Sequence, residues 1–384
     1  MLKKYFCITL IISLLAITIS RAEAQKNKGY VFENIVEVPH TAVKDQGWTG
    51  TCWDFATISL LESEVLRKTG IDDIDLAEMY PVRFTYVDKA QNYVRLHGNT
   101  TFGQGGQAHD VLVQMKDYGL VPEHVFQTYK IDEEFNHREL ADILHSFLDG
   151  LLEGSTITER RWMKAYNAIL DVYLGKEIES FRYQGKQYTP VKFMNNYLKL
   201  DPANYIEIIS NSNKPYYEQV RLEVPDNWNY NDEYYNVPLE DMKEIVDFAL
   251  ENGYSICWDA DVSDEYFNYK DTCVAFVPQK EPEKGENIPL PAVEKDITTE
   301  MRQKAFDTFE TTDDHLMHLV GMAQDQNGNQ FYKIKNSWGT DNKYNGYDYI
   351  SLPYFKLRTI NIMLNKEALP GDIKKKLELK KGLF

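Results

Sequence analysis

A cysteine followed at once by an apolar-periodic run, with a glutamine six positions ahead, marks the stretch "KDQGWTGTCWDFATISLLESEVLRKTG", residues 44–70. Thr51-x-x-Asp54 has the form of a capping box, which makes Thr51 the N-cap and Cys52 the first helical residue. A sulfur placed there lies beside unpaired backbone N–H groups and the positive end of the helix dipole, which favours the nucleophilic thiolate. Asp54 opposes that effect unless it folds back onto the cap. A lone cysteine is more commonly a small buried residue, so the neighbours decide. A thiol nucleophile needs a base, a group that orients the base, and donors for the oxyanion of a tetrahedral intermediate. Gln46 supplies a side-chain amide which, with the Cys52 N–H, makes a two-donor oxyanion hole. Gly47, Gly50 and Thr51 keep the intervening loop narrow enough for a substrate backbone to approach.

The base must come from elsewhere in the chain. Of eight histidines, His315 in "TTDDHLMHLVG" (311–321) stands where a polar run meets a strand. His318 lies three residues on and would face the other side of that strand. The pair lacks the Glu and the spacing of an H-E-x-x-H zinc site, so no metal is expected. Asn336 in "KIKNSWG" can orient an imidazole, and Trp338 can shield that hydrogen bond from water. Side chains and water suffice for this chemistry, and no cofactor is called for.

The elements that must position these groups differ between the two halves. Helical patterns dominate the first: residues 52–68 closed by Gly70, a Gly-rich turn and helix in "FGQGGQAHDVLVQMKDYGLVPE" (102–123), and amphipathic runs at 134–153 and 157–175. Thr189-Pro190 starts another, as N-cap and first-turn proline. Helices that follow one another without strands suggest a helical insertion at about 125–235. After the helix "LEDMKEIVDFALENG" and the proline-rich loop 278–293, the segments "HLVGMAQ", "QFYKIKNSW" and "YDYISL" read as strands joined by turns. The expected class is α+β with two lobes.

Residues 1–24 carry a short basic start, the apolar run "CITLIISLLAITI" and Ala22-Glu23-Ala24, the layout of a cleavable secretory signal. A secreted or periplasmic location is therefore expected, with no membrane span after cleavage and a domain over 25–384. The net charge of −17 becomes about −19 without Lys3, Lys4, Arg21 and Glu23. Such a surface repels phosphate backbones, so nucleic acid is excluded as a partner. An aromatic content of 13% supplies core material and argues against disorder. Cys52, Cys257 and Cys273 remain after cleavage, an odd set, so at least one thiol is left unpaired. Cys257 and Cys273 are either a disulfide or two buried thiols.

Together "DQGWTGTCWDFA", "DDHLMHLVG" and "KNSWGTDNKYNGY" resemble the papain-like cysteine peptidases. The resemblance implies Cys52 as nucleophile, His315 as general base and acid, Asn336 as its orienter and Gln46 as oxyanion donor. His315 is preferred to His318 because Asp314 precedes it and Val320-Gly321 follow in the family's register. Gly105 and Gly106 resemble the glycines that bind substrate backbone. Gly50, Asp314 and Trp338 complete the implied substrate-contacting set. Thr49 replaces the first cysteine of the family's C-G-[SA]-C-[WY] pattern, and His315 lies 263 residues after Cys52, against about 130–150 in the family signature. Only 21 residues (25–45) precede Gln46 after the expected cleavage, too few for an inhibitory propeptide. These departures resemble the bleomycin hydrolase and aminopeptidase C branch. That branch implies peptide substrates, a hexameric ring, and a C-terminal arm whose carboxylate holds the substrate's amino end. Here the end, "LNKEALPGDIKKKLELKKGLF", is lysine-rich instead. The expected function is a Cys-His-Asn peptidase working through a thioester, with aminopeptidase action implied by the branch. A Cys-His acyltransferase and a non-catalytic peptide-binding module on the same fold are the alternatives.

Overall fold

The structure is a computed structural model that describes residues 29–379, apart from 127, 155–156, 158–160 and 284–287. The expected signal at 1–24 lies outside the described residues. Strand β1 (Phe32–Glu37) precedes α1 (Cys52–Thr69), α2 (Met79–Arg95) and α3 (Ala108–Tyr118). Every residue of α1 from Cys52 to Val65 is buried, the mark of a helix enclosed by the fold rather than lying on it. It stops where Gly70 turns left-handed (φ 73°, ψ 9°) and donates to the Leu66 carbonyl, with Arg67 and Lys68 at the negative end of the dipole.

Helices α4 (Arg138–Glu153) and α5 (Arg161–Tyr173) are amphipathic, burying Leu140, Leu144 and Leu148 on one and Tyr166 and Leu170 on the other. The hairpin β2 (Phe181–Tyr183) and β3 (Lys186–Tyr188) leads into a helical turn capped by Thr189, with Pro190 in first position as expected. The chain then enters the large sheet: β4 (Tyr205–Ile209), β5 (Gln219–Val220) and β6 (Tyr234–Asn236). The stretch 125–235 is therefore helical at 138–153, 161–173 and 190–198 and in a turn at 202–204, with strands between and after these segments. Residues 205–209 pair antiparallel with residues 361–365 inside the sheet, and that pairing overrides the expected helical insertion there.

Helix α6 (Leu239–Glu251) is followed by β7 (Ile256–Ala260), β8 (Phe267–Asn268), β9 (Val274–Ala275), α7 (Thr299–Asp307), β10 (His315–Asp325), β11 (Gln330–Lys335), β12 (Tyr347–Ser351), α8 (Leu352–Arg358), β13 (Thr359–Asn365) and α9 (Gly371–Lys376). The strands form one mixed sheet in the order β5-β6-β4-β13-β7-β10-β11-β12-β9-β8, and β1 also pairs with β10. One apolar core lies among α1–α5 and takes in Cys257, Leu316 and Met363 from the sheet. A second lies between the sheet and α6, α8 and α9. Helix α1 packs on β10 and β7, so the lobes meet along it.

The lysine-rich end does not stand free. Ile373 and Leu377 are buried in the second core, and Lys376 pairs with Asp241 of α6 at 3.2 Å. Residues 380–384 lie outside the described residues. Cys52, Cys257 and Cys273 are all free thiols: Cys257 faces Thr57 of α1 at 3.7 Å, whereas Cys273 faces the Tyr269 carbonyl at 3.3 Å. Among the described residues, no helix is long and apolar enough to cross a membrane.

Candidate active site

Cys52 begins α1 as expected, but not through a capping box. The Thr51 hydroxyl bonds the Thr49 hydroxyl at 2.7 Å, and Thr49 in turn donates to the Gln46 carbonyl at 2.9 Å. Asp54 turns inward, fully buried, with both carboxylate oxygens unpartnered. Burial, with Glu78 nearby, raises its pKa well above the usual carboxylate range, against the pull of Lys44. The helix start is held instead by the Asp54 and Phe55 N–H groups on the Thr51 carbonyl.

The Cys52 sulfur accepts from the Leu316 backbone N–H, the residue directly after His315. Burial pushes the thiol up to about 12, and Asp259, Asp313 and Asp226 push the same way. At this helix start, loss of water and three carboxylates outweigh the dipole. Burial therefore favours the neutral thiol over the thiolate expected from the sequence.

His315 opens β10, where Nε2 lies 2.8 Å from Asn336 Oδ1. The amide's orientation is set by its other bonds: Oδ1 accepts from the Ser337 N–H at 2.8 Å, and Nδ2 donates to Asp348 at 3.0 Å. Nε2 must therefore carry the proton, which leaves the Nδ1 lone pair free to accept another. The Trp338 ring stacks on the imidazole at 4.4 Å and 21°. Burial lowers His315 to about 4, so the imidazole is neutral. Asp348, the buried acceptor behind Asn336, is raised to about 7 by desolvation.

Gln46 ties the two loops together. Its Oε1 accepts from the Ser337 hydroxyl at 2.7 Å, its backbone N–H donates to the Ser337 carbonyl at 2.9 Å, and its Nε2 donates to the Thr49 carbonyl at 2.7 Å. One amide hydrogen remains for a ligand.

The other expected residues have definite places. The Gly50 N–H donates to Gln104 at 2.8 Å, and a Cβ at Gly50 would stand 3.0 Å from the Gln104 side chain. A side chain at Gly105 would overlap the Asp226 carboxylate, and one at Gly106 would stand 2.7 Å from Asp110. Asp314 accepts from the Val262 and Ser263 N–H groups at 3.2 and 3.1 Å, so it fastens the loop before His315. His318 points away from His315 and bonds Ser59 at 2.8 Å. Sequence reasoning missed Ser337, Asp348, Gln107, Asp259, Asp313, Asp226 and Asn361. Carboxylates inside apolar strands, as in "ICWDA" and "YDYIS", were the one available signal.

A cysteine at a helix start, a neutral imidazole fixed by an amide, and a free amide hydrogen on the preceding loop are the kinds of group that a thiol hydrolase needs. The chain belongs to the peptidase C1-like family, whose profile matches residues 172–382, more than half of its length. It is a cysteine-type peptidase of papain-like α+β fold. It is similar to cysteine proteinase 1, mitochondrial, of Saccharomyces cerevisiae, with 21% identity over 93% of this chain and 81% of that one. Aminopeptidase G of Lactobacillus delbrueckii subsp. lactis is 22% identical over 88% of this chain and 83% of its own. Aminopeptidase C of Lactococcus lactis subsp. cremoris is also 22% identical, over 86% and 82%. The solved structure of PepW from "lactobacillus rhamnosis" superposes with a TM-score of 0.72 at 19% identity, covering 90% of this chain and 84% of that one, which shows the fold.

The secreted or periplasmic location expected from residues 1–24 does not stand. The yeast relative that aligns over 93% of this chain is by name mitochondrial, and neither bacterial relative is named as secreted. A basic start followed by a short apolar run is a compositional pattern, and it is too degenerate to outweigh relatives aligned over nearly the whole chain.

Proposed function

We propose that this enzyme hydrolyses peptide bonds by a Cys52-His315-Asn336 mechanism and removes residues from free N-termini. The carrying observation is the tautomer at His315. With Nε2–H committed to Asn336, the free Nδ1 belongs to a residue whose neighbour, Leu316, already bonds the Cys52 sulfur. Aminopeptidase action is supported by the names of the two bacterial relatives.

The thiol is raised and the imidazole lowered, so the resting pair is neutral and proton transfer accompanies attack. Cys52 Sγ bonds the carbonyl carbon as its proton passes to His315 Nδ1. The oxyanion is received by the second Gln46 amide hydrogen and the Cys52 N–H. Collapse breaks the C–N bond, and the leaving amine takes the proton from His315. Water then attacks the thioester with His315 as base, releasing the carboxylic acid and restoring the thiol.

Cys52→Ala should abolish hydrolysis of a free-amino peptide substrate, whereas Cys257→Ala should retain it. Turnover by Cys52→Ala above background sinks the assignment. Equal rates on a peptide and its acetylated form would exclude obligatory aminopeptidase action.

A further inference from the structure

The loop that carries Gln46 and ends at Cys52 is gripped from outside by the segment leading into α4. The Trp48 N–H donates to the Phe135 carbonyl at 2.8 Å, and the Trp48 carbonyl accepts from the His137 N–H at 3.1 Å. Gly47 is left-handed (φ 59°), and a Cβ there would stand 2.5 Å from the Phe135 carbonyl oxygen. Arg138, the first residue of α4, lays its guanidinium over the Trp48 ring, 3.9 Å from the centroid. A residue from the middle of the chain is thus fixed beside the catalytic loop.

That loop runs between two walls. Near Cys52, the Gly50 N–H is bonded to Gln104, beside Gly105-Gly106. At its other end Asp45 pairs with Trp338 and Gln46 with Ser337, and Trp338 stacks on His315. His315 hands its proton to the leaving amine, so the part of the substrate after the scissile bond departs on this second side, which Gly47 and Trp48 extend. Trp48 is four residues from Cys52, which keeps their Cα atoms within about 14 Å. Two independent observations give this place a use. Trp48 is 53% exposed although Gln46 and Thr49 around it are buried, and an exposed aromatic beside a cleft is a common contact for a ligand. Arg138 is exposed, and among the described residues its guanidinium has no hydrogen bond or ion pair. The chain has 59 acidic side chains against 42 basic ones, yet none of the neighbouring Asp132, Glu133 and Glu134 reaches Arg138, and Glu139 accepts from the Tyr173 hydroxyl instead. A guanidinium held over a ring keeps the N–H fork at its edge free, the geometry that takes a carboxylate by two bonds.

We infer that Arg138, held on Trp48, binds a carboxylate of the substrate on the leaving side of the bond that Cys52 attacks. The carboxylate is either the C-terminal one of a short peptide or the side chain of an acidic residue after the scissile bond. The inference rests on the peptidase reading and gives it a specificity. No side chain caps the start of α4, so the positive end of its dipole adds to the charge of Arg138 at the same place. The contact needs no rearrangement of the loop, because both backbone groups of Trp48 are already bonded.

The test uses two substrate pairs on the full-length enzyme. One is the tripeptide Leu-Ala-Ala with its C-terminal amide, and the other is Leu-Ala-Glu amide with Leu-Ala-Gln amide. The expected result is a charged-to-neutral ratio of kcat/KM, in one pair, that falls about fivefold in Arg138→Gln. The pair that responds identifies the source of the carboxylate. Arg138→Lys, which keeps the charge and loses the fork, should give an intermediate ratio. Trp48→Ala should lower the same ratio, since it removes the ring and keeps the backbone bonds. Ratios in both pairs that are unchanged by Arg138→Gln overturn the inference while leaving the peptidase reading intact. Calorimetric binding of Leu-Ala-Ala and its amide to Cys52→Ala, with and without Arg138→Gln, makes the same comparison without turnover. Charge-selective binding that depends on Arg138, alongside a wild type that hydrolyses no peptide, would overturn the peptidase reading alone.

Discussion

At Cys52 two effects compete for one proton. The helix start favours the thiolate, while burial and three carboxylates favour the thiol, and the second set prevails. The same burial holds His315 neutral down to about 4 instead of its ordinary value of about 6.5. His315 acts as a base only when unprotonated, so activity on a neutral acetylated substrate, where accepted, falls as pH drops through about 4. A kcat/KM profile whose acid limb lay near the ordinary histidine value would contradict this placement. The principal residues were legible because each sits in a contiguous motif: Gln46 and Cys52 in one loop, Asp314-His315 in another, Asn336 and Trp338 in a third. Asp259, Asn361 and Asp348 were not legible. They reach the site through strand register, and Asn361 lies 102 residues from the Asp259 it bonds. Thr51 misled because its hydroxyl had a better partner two residues away than the helix N-terminus.

Helix-to-helix packing depends on where backbones touch. Gly119 ends α3 in a conformation (φ 71°, ψ −156°) that favours glycine, and a Cβ there would overlap the backbone of Pro190 and Val191. Gly119→Ala should therefore destabilise the protein by about 3 kcal/mol, through strain and displacement of the turn at 190–198. An unchanged urea midpoint would show that the turn yields freely. Periodicity revealed α3, α4 and α5 because each has a single apolar face. It failed at 205–236, where β4, β5 and β6 are two to five residues long and take their structure from the neighbouring strand rather than from their own sequence. Strands this short carry too little pattern to announce themselves.

Over the whole molecule, the two cores are not independent. The helical core includes Cys257, Leu316 and Met363 of the sheet, and α1 is buried between them along its first 14 residues. Heating should give one calorimetric transition with equal calorimetric and van't Hoff enthalpies; two resolved transitions would mean that the lobes unfold separately. The sheet's order carries a further consequence. β13, the last strand in sequence, lies in the interior of the sheet between β4 and β7, and β4 has no other link to β7. While the chain is being synthesised, α1–α5 can collapse on one another, but β4–β6 must wait for residues 359–365 to leave the ribosome. Until then both edges of that gap expose unpaired backbone, so the nascent chain passes through a long interval in which a chaperone has an open seam to recognise.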